Sequence, residues 1–420
     1  MMEINKEKHI APLAVLRIAF GLVMFISTIR FIAKGWVHEF YIAPGFFFPF
    51  YGFQWVRPLP AVGMYTVFVL MAVGALCVML GLFYRAASLG FFFCFVYVEL
   101  LDKSYYLNHY YFVTLISFLL LLVPAHRYFS LDIVRRPALK LTRVPAWMID
   151  LFRLQICLVY FFAGLSKLTH EWLFEAMPLK IWLPAFGGLF RQSRVAYAFS
   201  WSGALFDLTI WIFLLLRPTR KIAYIFVVIF HVLTGWLFKI GMFPYIMIAA
   251  TLVFFPLAFD DEPVGLQMPR AGIFRAVLGV YFLLQLALPF RYLLYPGKLN
   301  WTEEGFRFSW RVMLMEKGGT AFFYIKDARS GRRWEVMNRQ FLTPLQERMM
   351  VTQPDMILQY AHHLHDVYQQ KGINDPVITV EDYVTLNGSG SRLYIDSTVD
   401  LARQQESFLP KPWILPFRQP

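Results

Sequence analysis

Long apolar segments separated by short links fill residues 11–294 of the 420-residue chain. A helix that spans a membrane needs about 20 mostly apolar residues, and nine segments meet or nearly meet that length. They lie near residues 11–29, 60–83, 86–101, 107–124, 148–167, 198–216, 221–238, 241–257 and 271–294. The third, fourth and eighth are short or marginal for a span. The pattern predicts an α-helical polytopic membrane protein with about nine transmembrane helices.

The stretch 37–56 is aromatic and interrupted by Pro and Gly, so it is expected to lie in the membrane interface rather than to span. No small-residue cleavage site stands out in the first apolar segment, which is therefore expected to be a retained span rather than a signal peptide.

The pattern changes at about residue 296. The stretch "TAFFYIKDARSGRRWEVM" predicts two strands joined by a turn, and "YVTLNGSGSRLYID" predicts a second hairpin. Between them, "DMILQYAHHLHDVYQQKG" has an apolar stripe at helical spacing and ends at Gly372. We therefore predict a transmembrane domain over residues 1–295 and a small β-rich extramembrane domain over residues 296–420.

Composition and charge support a membrane protein with a defined orientation. The chain is 58% apolar and 16% charged, which excludes disorder and disfavours a soluble fold. Its net charge of +13 is assigned to cytoplasmic loops facing anionic lipid, not to nucleic acid binding. Basic residues cluster after the second, fourth and sixth spans, as at Arg135, Arg136 and Lys140. These links and the N-terminus are then cytoplasmic, and the C-terminal domain is periplasmic, or lumenal in a eukaryote.

Neither cysteine nor histidine indicates a metal centre. The three cysteines, Cys77, Cys94 and Cys157, lie in apolar runs, which predicts no disulfide framework. His362 and His365 share a helix face, but no further ligand follows at a recognisable spacing, so an exposed polar face is the better interpretation. No phosphate-binding loop, dinucleotide fingerprint or nucleophile elbow is present.

Lys167 raises the question of chemistry, because it follows a dozen or so apolar residues in "LVYFFAGLSKLTHEWL". One interpretation is that its ammonium extends to the lipid headgroups. The other is that the amine is buried and neutral, which would make it a base at neutral pH. Composition leaves both open.

Other ionisable residues lie in or near the spans. His109 begins the fourth span and is compatible with a hydrogen-bonded interfacial histidine. His231 lies within an apolar run, where such a group usually faces the bundle interior and marks a functional site. Asp207, Glu99 and Arg17 are expected to pair with one another in a structural role.

Six segments in order resemble vitamin K-dependent γ-glutamyl carboxylase and the bacterial proteins that share its membrane domain. They are "RPLP…GALCVMLGLFYR", "LLDKSYYLNHYY", "LQICLVYFFAGLSKLTHEWL", "FHVLTGWLFKIGMFPYIMIA", "QLALPFRYLLYPGKLNWTEEGFRFSW" and "KPWILP". That family is a carbon–carbon lyase that carboxylates the γ-carbon of glutamate in a protein. The resemblance implies a reduced vitamin K or menaquinol as cofactor, O2 and CO2 as co-substrates, a glutamate-containing peptide or protein as substrate, and contact with lipid and its quinol pool.

The resemblance also implies roles for individual residues. The family's base is the second lysine of an Ala-Gly-X-Lys-Lys-Leu motif, which in "AGLSKL" is Lys167, with Ser166 at the first position. Lys167 would deprotonate the hydroquinone, whose oxidation supplies the energy to remove the γ proton. Asn108 and His109 match the family's Asn-His pair, so His109 would hydrogen-bond or orient the quinol. His231 matches another family histidine near the pocket.

The chain departs from the animal pattern in the region that helps to hold the glutamate. After Ser309 and Trp310 the animal enzymes have an acidic residue and, four positions further, a histidine, whereas this chain has Arg311 and Met315. Ser309, Trp310 and Arg311 are the predicted substrate-binding residues, but the identity of the substrate does not carry over. The animal cysteine pair and the C-terminal extension are absent from this sequence, which disfavours a propeptide-bearing clotting-type precursor as the substrate.

Two alternatives stay open at this point. The protein could be a quinol-epoxidising membrane oxygenase that acts on another substrate, or a non-enzymatic membrane scaffold or transporter. Transporters tend to show paired broken helices in symmetry-related halves, and no such pairing is visible in this sequence.

Overall fold

A computed structural model describes residues 6–238, 240–265 and 272–417. Its α-helices, in chain order, are α1 Ala11–Ala33, α2 Trp36–Tyr41, α3 Ala61–Leu80, α4 Tyr84–Leu101, α5 Asn108–Leu122, α6 Leu131–Arg135, α7 Trp147–Leu165, α8 His170–Leu173, α9 Leu179–Trp182, α10 Ser193–Leu215, α11 Arg220–Phe238, α12 Phe243–Thr251, α13 Gly272–Ala287, α14 Leu299–Thr302, α15 Pro344–Met350 and α16 Pro354–Gln370. Its strands are β1 Glu7–His9, β2 Arg143–Pro145, β3 Lys317–Lys326, β4 Arg333–Val336, β5 Val377–Leu386 and β6 Arg392–Leu393. Position 271, where the ninth predicted span begins, and the outermost residues of both predicted domains lie outside the described residues.

The described residues contain seven helices that are long and apolar enough to cross a membrane. They are α1, α3, α4, α7, α10, α11, and α13 with its 3-10 extension to Leu294. This confirms the helical membrane fold class. The fourth and eighth predicted spans are the shorter helices α5, with 15 residues, and α12, with 9 residues. Pro124 stands just after α5, and a 3-10 turn followed by Pro256 ends α12, because proline cannot continue helical hydrogen bonding. A count of nine spans is therefore not confirmed.

The membrane helices share one large apolar core. In it α1 packs on α3 and α12, and α7 packs on α10. On the outside, α11 and α13 expose aliphatic side chains such as Ile225, Ile229 and Leu283. An apolar surface of this kind would promote aggregation in water, so it suits contact with lipid tails.

The C-terminal region contains both predicted hairpins and the helix between them. Its four strands form an antiparallel sheet in the order β4-β3-β5-β6, and α16 packs on the sheet at Tyr360, whose ring lies 4.8 Å from that of Phe323 on β3. A second apolar core lies between sheet and helices and includes Trp301 and Val380. Gly372, with φ of +93°, follows α16 in a conformation that favours glycine and stops the helix.

The aromatic stretch 37–56 does not span, as predicted, but it does not lie only in the membrane interface. After α2 it is irregular, and Phe48 is fully buried in the core of the C-terminal region. The link between α4 and α5 also contacts the C-terminal region, since Asp102 accepts a hydrogen bond from the Gln346 side chain at 2.8 Å. The membrane helices therefore meet the C-terminal region through a packed surface.

The C-terminal end of α7 and the loop after it face the C-terminal region. Lys298 forms an ion pair with Glu171 at 2.6 Å, and the Trp182 indole donates a hydrogen bond to Glu316. This places Lys167 on the side of the membrane domain that carries the C-terminal region.

Candidate active site

Lys167 lies just beyond the end of α7 and its side chain turns back into the protein. Its ammonium nitrogen is 2.7 Å from Asp207 Oδ2 and 3.2 Å from the carbonyl oxygen of Ala163. The residue is only 6% exposed. The Trp172 ring lies 5.5 Å from the same nitrogen and covers it from the loop side. Lys167 therefore occupies the interior of the bundle and does not extend to the headgroups.

Asp207 comes from the middle of α10, and a close approach of two helices brings it to Lys167. A Cβ atom at Gly164 would meet the backbone nitrogen of Leu208 at 2.6 Å and the carbonyl carbon of Asp207 at 2.9 Å. Only glycine therefore allows α7 and α10 to pack at this distance. The glycine of "AGLSKL" thus sets the separation between the lysine and its partner.

The expectation that Asp207, Glu99 and Arg17 pair with one another was wrong. Asp207 pairs with Lys167, while Arg17 donates hydrogen bonds to four backbone carbonyls around the ends of α3 and α5. Glu99 borders a separate small cavity beside Tyr110. Asp207 is the site residue that the sequence interpretation missed. A signal was present, since an ionisable group in a span usually faces the bundle interior.

A third polar group comes from His231 on α11. Its Nε2 atom is 2.9 Å from the Tyr160 hydroxyl, and the residue is 1% exposed. Tyr160, on α7, lines the same cavity as Lys167. The other ring nitrogen, Nδ1, is buried and has no hydrogen-bond partner among the described residues. A buried polar atom of this kind is free to bind a ligand.

Lys167, Asp207 and His231 all line one cavity of about 380 Å³. Its remaining wall is mostly apolar and aromatic, with Phe199, Phe230, Phe238, Phe243, Met247 and Trp172 among its members. A mainly apolar cavity with a few converging polar groups is the usual form of a small-molecule site. The aromatic walls suit a planar ring system, and the polar side chains of Lys167, Asp207 and His231 suit its oxygen atoms.

Trp310 reaches the cavity from the segment 308–313, whose backbone is unusual. Phe308, Trp310 and Met313 all have positive φ values, of 63°, 58° and 57°. Each such residue is destabilised by about 1–2 kcal/mol, so the surrounding contacts must hold the segment. The Trp310 ring stacks on that of Tyr111 at 5.0 Å, which is one of those contacts.

The side chains on either side of Trp310 do not line the cavity. The Ser309 hydroxyl donates a hydrogen bond to the carbonyl oxygen of Phe306, and the Arg311 guanidinium lies 4.5 Å from the Tyr292 ring. Of the three predicted substrate-binding residues, the structure brings only Trp310 into the cavity wall.

Asn108 and His109 are also outside the cavity wall. The amide nitrogen of Asn108 donates to the carbonyl oxygen of Arg311 at 2.8 Å, so Asn108 holds the strained segment. The His109 ring is 5.9 Å from that of Phe243, which in turn is 5.6 Å from that of His231. Phe243, which lines the cavity, thus lies next to both histidines.

Two family models match the chain. The HTTM domain model matches residues 5–259, more than half of the chain, and the model of the lumenal domain of vitamin K-dependent gamma-carboxylase matches residues 270–420. No solved structure matches the chain. The two family matches follow each other along the chain and together cover the helices, the cavity and the sheet described above. The protein therefore belongs to the γ-glutamyl carboxylase family, as a vitamin K-dependent carboxylase-like membrane protein.

Proposed function

We propose that the protein is a quinol-dependent γ-glutamyl carboxylase, a carbon–carbon lyase that couples the epoxidation of a vitamin K-type hydroquinone to CO2 addition at glutamate. The single observation that carries the proposal is the buried Lys167–Asp207 contact at 2.7 Å in the wall of an apolar cavity. Two buried ionisable groups in such a cavity are costly for stability, which favours a functional reason for them.

The residues of the cavity fit a hydroquinone. Its ring would lie between the aromatic walls, one oxygen atom at the Lys167–Asp207 pair and the other at the unpartnered Nδ1 atom of His231. When bound and oxygenated, the hydroquinone supplies a base strong enough to remove the γ proton of glutamate, which no ordinary side chain could do. Either reduced vitamin K or menaquinol has the required head group.

Lys167 and Asp207 act as one proton-accepting unit in this proposal. When the pair is ionised, the Asp207 carboxylate can accept a proton; when its proton lies on Asp207, the Lys167 amine can accept one. In both cases the pair gains one positive charge inside an apolar cavity. That charge is stabilised only by a negative charge formed next to it, so proton uptake is coupled to the presence of an acidic ligand.

His231 holds the other end of the ligand. The Tyr160 hydroxyl satisfies Nε2, and this hydrogen bond fixes the ring and leaves Nδ1 without a protein partner, so that Nδ1 would form the hydrogen bond to the ligand. The aromatic walls exclude water, which would otherwise destroy a strong base before it reaches glutamate.

Glutamate would approach from the side of the C-terminal region, past the strained segment that contains Trp310. Ser309 and Arg311 would act by holding this segment, and Asn108 by fixing the carbonyl oxygen of Arg311. His109 would influence the ligand through Phe243. With the basic links in the cytoplasm, this side is the periplasm or a lumen.

The test is an assay of purified protein in detergent with menaquinol-4, O2, radiolabelled CO2 and a short glutamyl peptide. Epoxide and fixed label are measured for the wild type, Lys167→Ala and the control Lys180→Ala. Lys180 is on α9 outside the cavity, where its ammonium donates to the Tyr197 hydroxyl at 2.9 Å. We expect both products to fall by about 10²-fold or more in Lys167→Ala, the usual contribution of an acid–base group, and to be retained in Lys180→Ala.

The other outcomes separate the alternatives. Epoxide without fixed CO2 would support an oxygenase with another substrate. The absence of both products from the wild type would contradict the proposal and favour a scaffold or transporter.

A further inference from the structure

The cavity reaches the protein surface between α10 and α11. Three of its lining residues are exposed: Ala198 and Ser202 on α10, and Leu233 on α11. Ala198 and Ser202 are four residues apart, so they lie on the same face of α10. The other described lining residues are buried or half-buried. The gap formed by Ala198, Ser202 and Leu233 is therefore where the interior of the cavity meets the outside.

Asp207, one of the polar groups of the cavity, lies away from this gap along α10. Ser202 and Ala198 precede Asp207 by five and nine residues, which is ~7 Å and ~13 Å along a helix axis. The Ser202 hydroxyl donates to the carbonyl oxygen of Phe199 at 3.3 Å, so it is satisfied within its own helix. The Lys167–Asp207 pair therefore lies away from the gap, while His231, two residues from Leu233 on α11, is buried inside the cavity.

The surface around the gap is apolar as well. Leu205 on α10 is 64% exposed, and Val232 and Trp236 on α11 are 56% and 63% exposed. All of them belong to helices long enough to span the membrane. The gap consequently opens towards lipid tails rather than water.

The volume of the cavity decides what can lie inside it. At about 380 Å³ it is near the lower end of the range of about 300–1,000 Å³ for small-molecule sites. A fused-ring head fits this space, whereas a polyprenyl chain of several units must extend out of it. The only direction consistent with an apolar chain is through an apolar gap into the bilayer.

We propose that the gap at Ala198, Ser202 and Leu233 is the tail site of the quinol: the head enters sideways from the bilayer, and the polyprenyl chain stays in the gap and extends into lipid. This inference rests on the quinol chemistry proposed above. It implies that the protein binds a quinol with a polyprenyl tail more tightly than one without it. Isoprene units beyond the first few should add little to the affinity.

The test measures binding, not turnover, in lipid nanodiscs with oxidised menaquinone-4 and with menadione, which has the same head but no polyprenyl tail. Leu233→Trp is compared with Val232→Trp, because both residues are exposed aliphatic side chains on α11 and only Leu233 lines the cavity. We expect Leu233→Trp to weaken menaquinone-4 binding at least tenfold, Val232→Trp to leave it within twofold, and menadione binding to be similar in both. Equal menaquinone-4 affinity in the two variants would overturn the inference.

A second measurement on the wild type guards against misfolded variants. A menaquinone analogue with a photoreactive group on its first isoprene unit should crosslink to residues 198–202 and to Leu233, as located by mass spectrometry. Crosslinks confined to other helices would also overturn the tail site. Crosslinks at the gap in a protein that forms neither epoxide nor carboxylated peptide would retain the tail site and reject the proposed reaction, so the two failures can be distinguished.

Discussion

Lys167 and Asp207 form a buried contact in which each side chain compensates the charge of the other. Both are nearly fully buried, and removing one partner leaves a charge without compensation in an apolar cavity. The lysine lies two residues beyond the end of α7, and the aspartate lies on α10, 40 residues later. Their roles should therefore be inseparable in mutational analysis.

Asp207→Asn tests this dependence. Asparagine retains the shape and a hydrogen-bond acceptor for Lys167 but cannot balance its charge, so a proton taken up by the pair would be poorly stabilised. We expect quinol epoxidation to fall by about 10²-fold, Asp207→Glu to recover part of the rate, and Lys167→Ala to add little further loss to Asp207→Asn. Steady-state epoxide formation by the wild type, the three single variants and the double variant checks this. Independent, multiplicative losses would argue against a shared proton-accepting unit.

The distance between α7 and α10 depends on one residue without a side chain. Gly164 lets the backbones of the two helices touch, and the positions of both Lys167 and Asp207 follow from that contact. The same need for small residues at close helix contacts is common in membrane bundles.

Gly164→Ala should separate the two helices. We expect a loss of about 1–3 kcal/mol in stability from the overpacked contact, together with a lower epoxidation rate. The matched control is Gly90→Ala on α4, where an added Cβ would meet nothing within 4 Å and should stabilise the helix by about 0.5–1 kcal/mol. Thermal unfolding in detergent, followed by the assay, checks both. A tolerated Gly164→Ala with full activity would mean that the helices adjust without disturbing the pair.

The membrane helices and the C-terminal region are joined by a partly buried charge network. Asp355, at the start of α16, is 2.8 Å from the ammonium of Lys103 and 2.7 Å from the guanidinium of Arg307. Glu406 lies 3.8 Å from Lys103. Since Lys103 belongs to the link between α4 and α5, this network helps to hold the C-terminal region above the cavity.

The network should make stability depend on acid pH. Burial alone would raise the pKa of the Asp355 carboxyl, but Arg307 and then Lys103 outweigh that effect and hold the pKa well below its usual range. A depressed pKa means that the stabilisation is fully present above the unfolded pKa of about 4 and is lost as the pH falls from there through the folded pKa. We expect Asp355→Asn to lower stability by about 2 kcal/mol at neutral pH and by progressively less as the pH drops below about 4.

The control for this prediction is Asp375→Asn. Asp375 pairs with Arg403 on the surface at 2.9 Å, where both side chains are about two-thirds exposed, so its loss should change stability by less than about 1 kcal/mol. Thermal midpoints of the three proteins from neutral to acid pH provide the measurement. An equal pH dependence in wild type and Asp355→Asn would show that other carboxylates control acid stability.

Much of the fold could be predicted from local sequence. The helical membrane class, all nine apolar segments as helices, both C-terminal hairpins and the glycine that follows α16 depend on hydrophobic length, strand periodicity and turn residues. These signals operate within about 20 residues, so no knowledge of packing is needed. The fourth and eighth segments differ in length because proline and 3-10 turns stop them early.

The site likewise contains some residues that could be predicted from the sequence and some relations that could not. The sequence alone singled out Lys167 and His231, because ionisable groups in apolar runs stand out against their neighbours. Only the tertiary structure assigned Asp207 to Lys167 and Tyr160 to His231, and left Nδ1 of His231 unpartnered. It also placed Phe243 next to both His109 and His231 and formed the gap between α10 and α11. The physical reason is that these relations join residues about 30 to 130 positions apart, whose distances are set by how closely helices pack and not by the pattern within any one of them.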